Sequence, residues 1–293
     1  MVTAIKVALL AFAGVFSFFF FKDYASASKN NELEADTNFG VTAGIGFVTN
    51  FFDTLGIGSF APTTALLRAF KQIQDRVLPG TLNVSCTIPV IIEAFIFISV
   101  IEVEMITLIS LLVAAIVGAV LGAGIVAKWD EKKVQIAMGF ALLATSFLMV
   151  AGMMGWINAL GTGDAIGLTG AKLVIAVVIN FILGALMTAG IGLYAPCMAM
   201  IYMLGMSPKV AFPIMMGSCA FLMPPASIKF VQEGAYNRKA SMAITIGGVI
   251  GVFIAAFLVE SLPLDILRIL VIVVVLYTAL TMLRDAFKKT KEQ

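Results

Sequence analysis

The chain has 293 residues, 61% of them apolar and only 12% charged, with a formal net charge of +2. A globular domain in water is about half apolar and a quarter charged, so a soluble fold is excluded and a bilayer has to cover the excess apolar surface. The near-neutral charge, without a basic stripe, excludes a nucleic-acid binder; the lack of any histidine excludes a histidine metal site, a Ser-His-Asp triad and a histidine proton relay.

Apolar runs fall at 4–21, 39–55, 59–70, 78–100, 104–127, 134–156, 172–188, 192–206, 209–228, 240–261 and 264–283. They are continuous, not alternating, which predicts membrane helices and not a barrel. The first run, followed by Lys22-Asp23-Tyr24-Ala25-Ser26-Ala27, has the outline of a signal peptide. It is long for that role and its only basic residue is Lys6, so a retained first helix is expected. Polar stretches lie at 22–38, 71–77, 128–133, 157–171, 229–239 and from Arg284 onward. Cys86, Cys197 and Cys219 sit inside apolar runs without a CxxC spacing and read as packing residues.

An internal repeat organises these runs. At an offset of 134 residues, Phe47, Thr54, Gly56, Ile57, Gly58, Ala61 and Pro62 match Phe181, Thr188, Gly190, Ile191, Gly192, Ala195 and Pro196, and Pro79 matches Pro213. The expected organisation is a first transmembrane repeat over 1–133 and a second over 134–262. An additional transmembrane helix with a basic cytoplasmic tail follows over 263–293. The short loops and the tail carry four basic clusters: Arg68/Lys71/Arg76, Lys128/Lys132/Lys133, Lys229/Arg238/Lys239 and Arg284/Lys288/Lys289/Lys291. The positive-inside rule assigns these to the cytoplasm. Parity then requires 172–206 to enter and return on one side, with a break at Gly190-Ile191-Gly192, and likewise at Gly56-Ile57-Gly58. The two repeats come out inverted, and the acidic loop 22–38 is placed inside. Whether the hairpins re-enter or cross fully is left open by parity.

Broken helices between inverted repeats are where secondary transporters hold substrate. Gly-x-Gly permits the reversal, and Pro62 or Pro196 suits the first turn of the returning helix. The start of that helix offers bare amides and the positive end of a dipole. Donors from Gly56, Gly58, Ser59, Phe60 and Ala61, and from Gly190, Gly192, Leu193, Tyr194 and Ala195, are therefore the expected cradle for an anion. The competing reading is that these glycines and prolines only kink helices for packing. Asn83, Ser85, Cys86 and Thr87, with Gly217, Ser218 and Cys219 in the other half, either complete the anion's hydrogen bonds or bond their own helix carbonyls. Asp53, matched by Met187 in the second half, either carries a coupling proton or caps amides at the break. Glu93 is an intramembrane acid, either functional or packed. Gly118, Gly122, Gly124, Gly247, Gly248 and Gly251 read as helix-packing faces. The methionine run from Met198 to Met216 reads as adaptable core, since a soft-metal path would need paired sulfurs beside polar access.

Asp53-Thr54-Leu55-Gly56-Ile57-Gly58-Ser59, Pro62 and Thr81-x-Asn83 resemble the first repeat of the sulfite exporter TauE/SafE family. Gly190-Ile191-Gly192, Pro196, Leu204-Gly205-Met206-Ser207-Pro208-Lys209, Ala211 and Gly217-Ser218 resemble its second. The first turn is less glycine-rich than the family pattern, Leu82 separates Thr81 from Asn83, and Arg68 interrupts the run after Pro62. The resemblance implies a small duplicated permease for sulfite, organosulfonates such as sulfoacetate, or related anions. The expectation is an all-α, multi-pass protein of the cell inner membrane, not an enzyme, needing no cofactor and no metal. Its partners would be a small anion and the lipid bilayer, with homo-oligomerisation left open. A passive anion channel on the same scaffold is the alternative. A membrane enzyme acting on lipid pyrophosphate is disfavoured, because the chain lacks clustered acids with an Arg-rich phosphate motif.

Overall fold

The computed structural model describes residues 2–97, 102–156, 163–258 and 264–288. In chain order the helices are α1 (Val2–Lys29), α2 (Phe39–Thr54), α3 (Phe60–Ala69), α4 (Leu78–Phe97), α5 (Met105–Val126) and α6 (Glu131–Met153). They continue with α7 (Gly170–Thr188), α8 (Tyr194–Met203), α9 (Pro208–Gln232), α10 (Arg238–Leu258) and α11 (Leu264–Lys288). A 3-10 turn at Asp75–Val77 leads into α4. Among the described residues the protein is all-helical, with one isolated bridge between Ala165 and Met206.

Among the described residues seven helices, α1, α4, α5, α6, α7, α9 and α10, are long and apolar enough to cross a membrane. Their outward faces are apolar stripes at helical spacing: Ile106, Ile109, Val113, Val117, Leu121 and Ile125 on α5, and Ile246, Ile250, Phe253 and Phe257 on α10. Such faces would aggregate in water and suit acyl chains. The chain is a multi-pass helical membrane protein. By contrast α2 has 16 residues and α3 and α8 have 10 each; at 1.5 Å per residue the shorter two rise about 15 Å, half of a hydrocarbon core of ~30 Å.

Helix bounds follow the 134-residue offset. α3 moved by 134 coincides with α8, and α2, α4 and α5 fall on α7, α9 and α10 within a few residues. Packing is reciprocal as well: α2 lies against α10, and α7 against α5, with α4 and α9 in contact between them. Glycines set both close approaches. A Cβ on Gly46, Gly247 or Gly251 would meet the carbonyls of Ile244, Ala43 or Phe47, and one on Gly118, Gly122 or Gly184 those of Phe181, Ala185 or Ala115. Gly248 faces Asn50 and Pro89, whereas Gly124 faces nothing within 4 Å and has no part in the packing face expected of it.

All four basic clusters that fall on described residues lie at one end. Arg68 bonds Asp75 at 2.9 Å and Asp285 at 2.7 Å, and Gln135 Nε2 donates to Asp75, tying the feet of α3, α6 and α11. Lys289 and Lys291 lie outside the described residues. The acidic stretch joins the same end. Asp23 pairs with Arg238 at 2.7 Å, Glu34 accepts from the amides of Arg238 and Lys239, and Asn237 donates to Thr37. Burial, and then the bond to Asp23, push the Tyr236 phenol above its usual range. Asp130 caps α6 by accepting the Lys133 amide, which holds its carboxyl below the usual value. α1 runs eight residues beyond the apolar segment 4–21, to Lys29, because no helix breaker intervenes and Asp23 is anchored. It closes on Asn31 in a left-handed conformation. The opposite end gathers 104, 163–168 and 204–207: Glu104 N donates to Ile166 O, Ser207 N to Ala165 O, and Lys172 to Leu204 O. Residues 157–162 and 259–263 lie outside the described residues.

Candidate functional site

The two helical hairpins, α2–α3 and α7–α8, are rooted at opposite ends: the first beside the basic clusters, the second beside Ala165 and Leu204. Each reverses by the same local device. Gly56 N bonds Asp53 O and Ile57 N bonds Phe52 O; Gly190 N bonds Met187 O and Ile191 N bonds Leu186 O. This pair of bonds ends a helix on a left-handed residue, and φ is 86° at Gly56 and 96° at Gly190. The second glycines differ. Gly58 is left-handed, with φ 89°, and Gly192 is not.

The return helices also begin alike. The first intrahelical bonds are Thr63 N to Ser59 O and Cys197 N to Leu193 O. Pro62 and Pro196 stand one residue earlier and have no N–H to leave unpaired. The amides of Phe60 and Ala61, and of Tyr194 and Ala195, have no partner within their helices. Neither N-cap residue, Ser59 or Leu193, caps with its side chain. Ser59 Oγ instead donates to Asp53 Oδ2 at 2.7 Å, stapling the first turn.

Both tips open into one cavity of about 300 Å³. Asp53, Ser59, Phe60, Ala61 and the turn Gly56-Ile57-Gly58 line it from the first hairpin, and Gly192, Leu193 and Tyr194 from the second. Among the described residues no lysine or arginine is on its wall. An anion there would meet hydroxyls, amides and helix dipoles in place of a formal positive charge. Val90 of α4, Met187, Met198, Cys219 and five residues of α6 (Thr145, Leu148, Met149, Gly152 and Met153) complete the wall.

Other singled-out residues stand apart from the wall. Gly190 is at the turn with its α-carbon toward Met138. Asn83 Nδ2 donates to Pro79 O, Thr87 to Asn83 O and Ser85 to Leu82 O, so these donors are used within α4. Ser218, beside Gly217 in α9, accepts from Asn180 Nδ2 at 3.0 Å. Cys219 Sγ lies 3.6 Å from Met187 Sδ. The α6 wall carries no marked residue in sequence, and sequence reasoning missed it. Glu93 does bear on the site, accepting from Thr54 Oγ1 at 2.9 Å and from the Tyr194 hydroxyl at 3.4 Å.

No curated protein and no solved structure matches the chain. Residues 172–293, from α7 through the last helix, match the family model described as Sulfite exporter TauE/SafE, the family that the duplicated hairpin motifs resemble.

Proposed function

We propose that the protein is a secondary transporter for a small anion, working by alternating access between two inverted repeats in the cell inner membrane. The substrate class is a sulfur oxyanion or organosulfonate, such as sulfite or sulfoacetate, and the anion is held between the hairpin tips. One observation carries this: two helix starts, rooted at opposite ends, face the same cavity with amides that their own helices cannot satisfy. The family match over the second half supports transport of an anion. A volume of about 300 Å³ holds an oxyanion with a short organic substituent, being at the small end of ligand pockets. Asp53 is the proton-coupling candidate on the wall itself: an anion bound beside its carboxyl is repelled unless a proton accompanies it.

The test is flux in proteoliposomes of the purified protein with labelled sulfite, sulfate, sulfoacetate and methanesulfonate. Saturable uptake with counterflow of at least one of them is expected. Unsaturable, electrically conducted flux would replace the carrier with a channel, and no flux or thermal stabilisation by any of the four would remove the anion site.

A further inference from the structure

We propose that Glu93 is the proton switch of the transport cycle, its charge state setting how firmly the two hairpin tips are held together; this rests on the transport reading above. Glu93 is wholly buried on α4, behind the cavity wall. Its two oxygens reach different repeats. Oε1 meets Thr54, the last residue of α2, and Oε2 meets the hydroxyl of Tyr194, the first residue of α8. Asp53 and Tyr194, the neighbours and members of that link, line the cavity. A single carboxyl group thus spans the two elements that alternating access has to move against each other.

The proton count favours a group that changes state. The Thr54 hydroxyl has one hydrogen and two acceptors at 2.9 Å, Asn50 O and Glu93 Oε1. With a proton on Oε1, Glu93 donates to Thr54 and Thr54 donates to Asn50 O, and every hydrogen is used. Oε2 is then a neutral carbonyl oxygen accepting from Tyr194 across 3.4 Å, a weak bond. Without the proton, both hydroxyls donate to a carboxylate, and charge-assisted bonds are shorter and about twice as strong. Ionised Glu93 therefore clamps the tips, and neutral Glu93 frees Tyr194 to move with α8.

No cation faces this group among the described residues. Asp53 from α2, Tyr194 from α8, Cys86 from α4 and Cys219 from α9 are the titratable groups within its electrostatic reach. Lys6 of α1 is turned to the Phe95 ring, 4.6 Å from its centroid. The described parts of α7 and α10 bring no titratable side chain to it. An unpaired buried carboxylate is costly, and an anion entering the cavity adds to the cost. Anion entry and proton uptake at Glu93 favour each other, a reciprocal coupling, so the two move together.

Two measurements decide it. Infrared difference spectra of the purified protein in lipid, stepped from alkaline to acidic pH, are expected to contain a protonated-carboxyl band that E93Q removes, accompanied by a tyrosine ring shift that Y194F removes. An E93Q spectrum with the wild-type carboxyl band, or a D53N spectrum that loses it instead, overturns the assignment. In proteoliposomes with a trapped pH dye, protons moved per methanesulfonate or sulfite should fall at least twofold in E93Q, Asp53 carrying those that remain, whatever the anion rate. An unchanged ratio overturns the switch. Wild-type protein that moves none of the anion probes would sink the transporter reading, while the infrared result would still stand or fall on Glu93 alone.

Discussion

The two hairpin turns share their first glycine in conformation but not their second. Gly56, Gly58 and Gly190 have φ of 86°, 89° and 96°, where a side chain costs about 1–2 kcal/mol. Gly192 lies outside that region, with nothing within 4 Å of where a Cβ would stand. G56A, G58A and G190A should therefore each lower thermal stability by about 1–2 kcal/mol; at Gly190 the atom nearest an added Cβ is Met138 Cε, the free end of a flexible side chain that can turn aside. G192A should unfold like wild type while narrowing the cavity. Differential scanning fluorimetry of the four purified variants checks this ranking, and a G192A variant as unstable as G58A would contradict it. The sequence motif presents the two Gly-x-Gly turns as equivalent; the distinction depends on backbone angles that residue identity does not carry. Glu93 was visible as an acid in an apolar run, but its partners lie 39 and 101 residues away. Only the packing of α4 between the hairpins brings them together.

At the level of helices, close pairing of α2 with α10 and of α7 with α5 rests on glycines that face a backbone carbonyl across the interface. A carbonyl cannot swing aside as a side chain does, so an added methyl has to push the helices apart. G247A and G118A are expected to cost about 1–3 kcal/mol each. Gly44 and Gly124 lie on the same helices with nothing within 4 Å. Their alanine variants should be neutral or gain about 0.5–1 kcal/mol from lower backbone entropy in the unfolded chain. Thermal unfolding of all four in one detergent separates the classes; equal loss at Gly124 and Gly118 would mean that bulk, and not the carbonyl approach, is decisive. Periodicity and the repeat made these elements legible: every predicted run from 39 to 228 coincides with one helix of the structure to within a few residues at each end. The role of α6 in the cavity wall was not legible, because Thr145, Leu148, Met149, Gly152 and Met153 look like any other apolar membrane face.

Across the whole molecule, the charge pattern gives the two ends different chemistry, and the acidic stretch is the informative part. Taken alone, Asp23, Glu32, Glu34 and Asp36 argue against a cytoplasmic loop that holds only Lys22 and Lys29. Folded, two of those acids are spent on the neighbouring basic cluster, Asp23 on Arg238 and Glu34 on the first amides of α10. The loop is pinned to the end that Arg68, Lys133 and Lys288 occupy, whatever its own charge. Positive-inside orientation counts lysine and arginine and gives acids little weight, so that end should face the cytoplasm. Single cysteines at exposed Asp36, Lys132 and Glu233 should then react with a membrane-impermeant maleimide only in inside-out vesicles, and one at exposed Asp164 only in right-side-out vesicles or cells. The native Cys86, Cys197 and Cys219 are buried, so the parent protein provides a low blank. Labelling of Asp36→Cys from the same side as Asp164→Cys would break the link between the acidic loop and α10, and with it the placement of the first hairpin's root. Labelling of all three from outside would keep the fold and reverse its direction in the membrane, exchanging which hairpin approaches the anion from the cytoplasm.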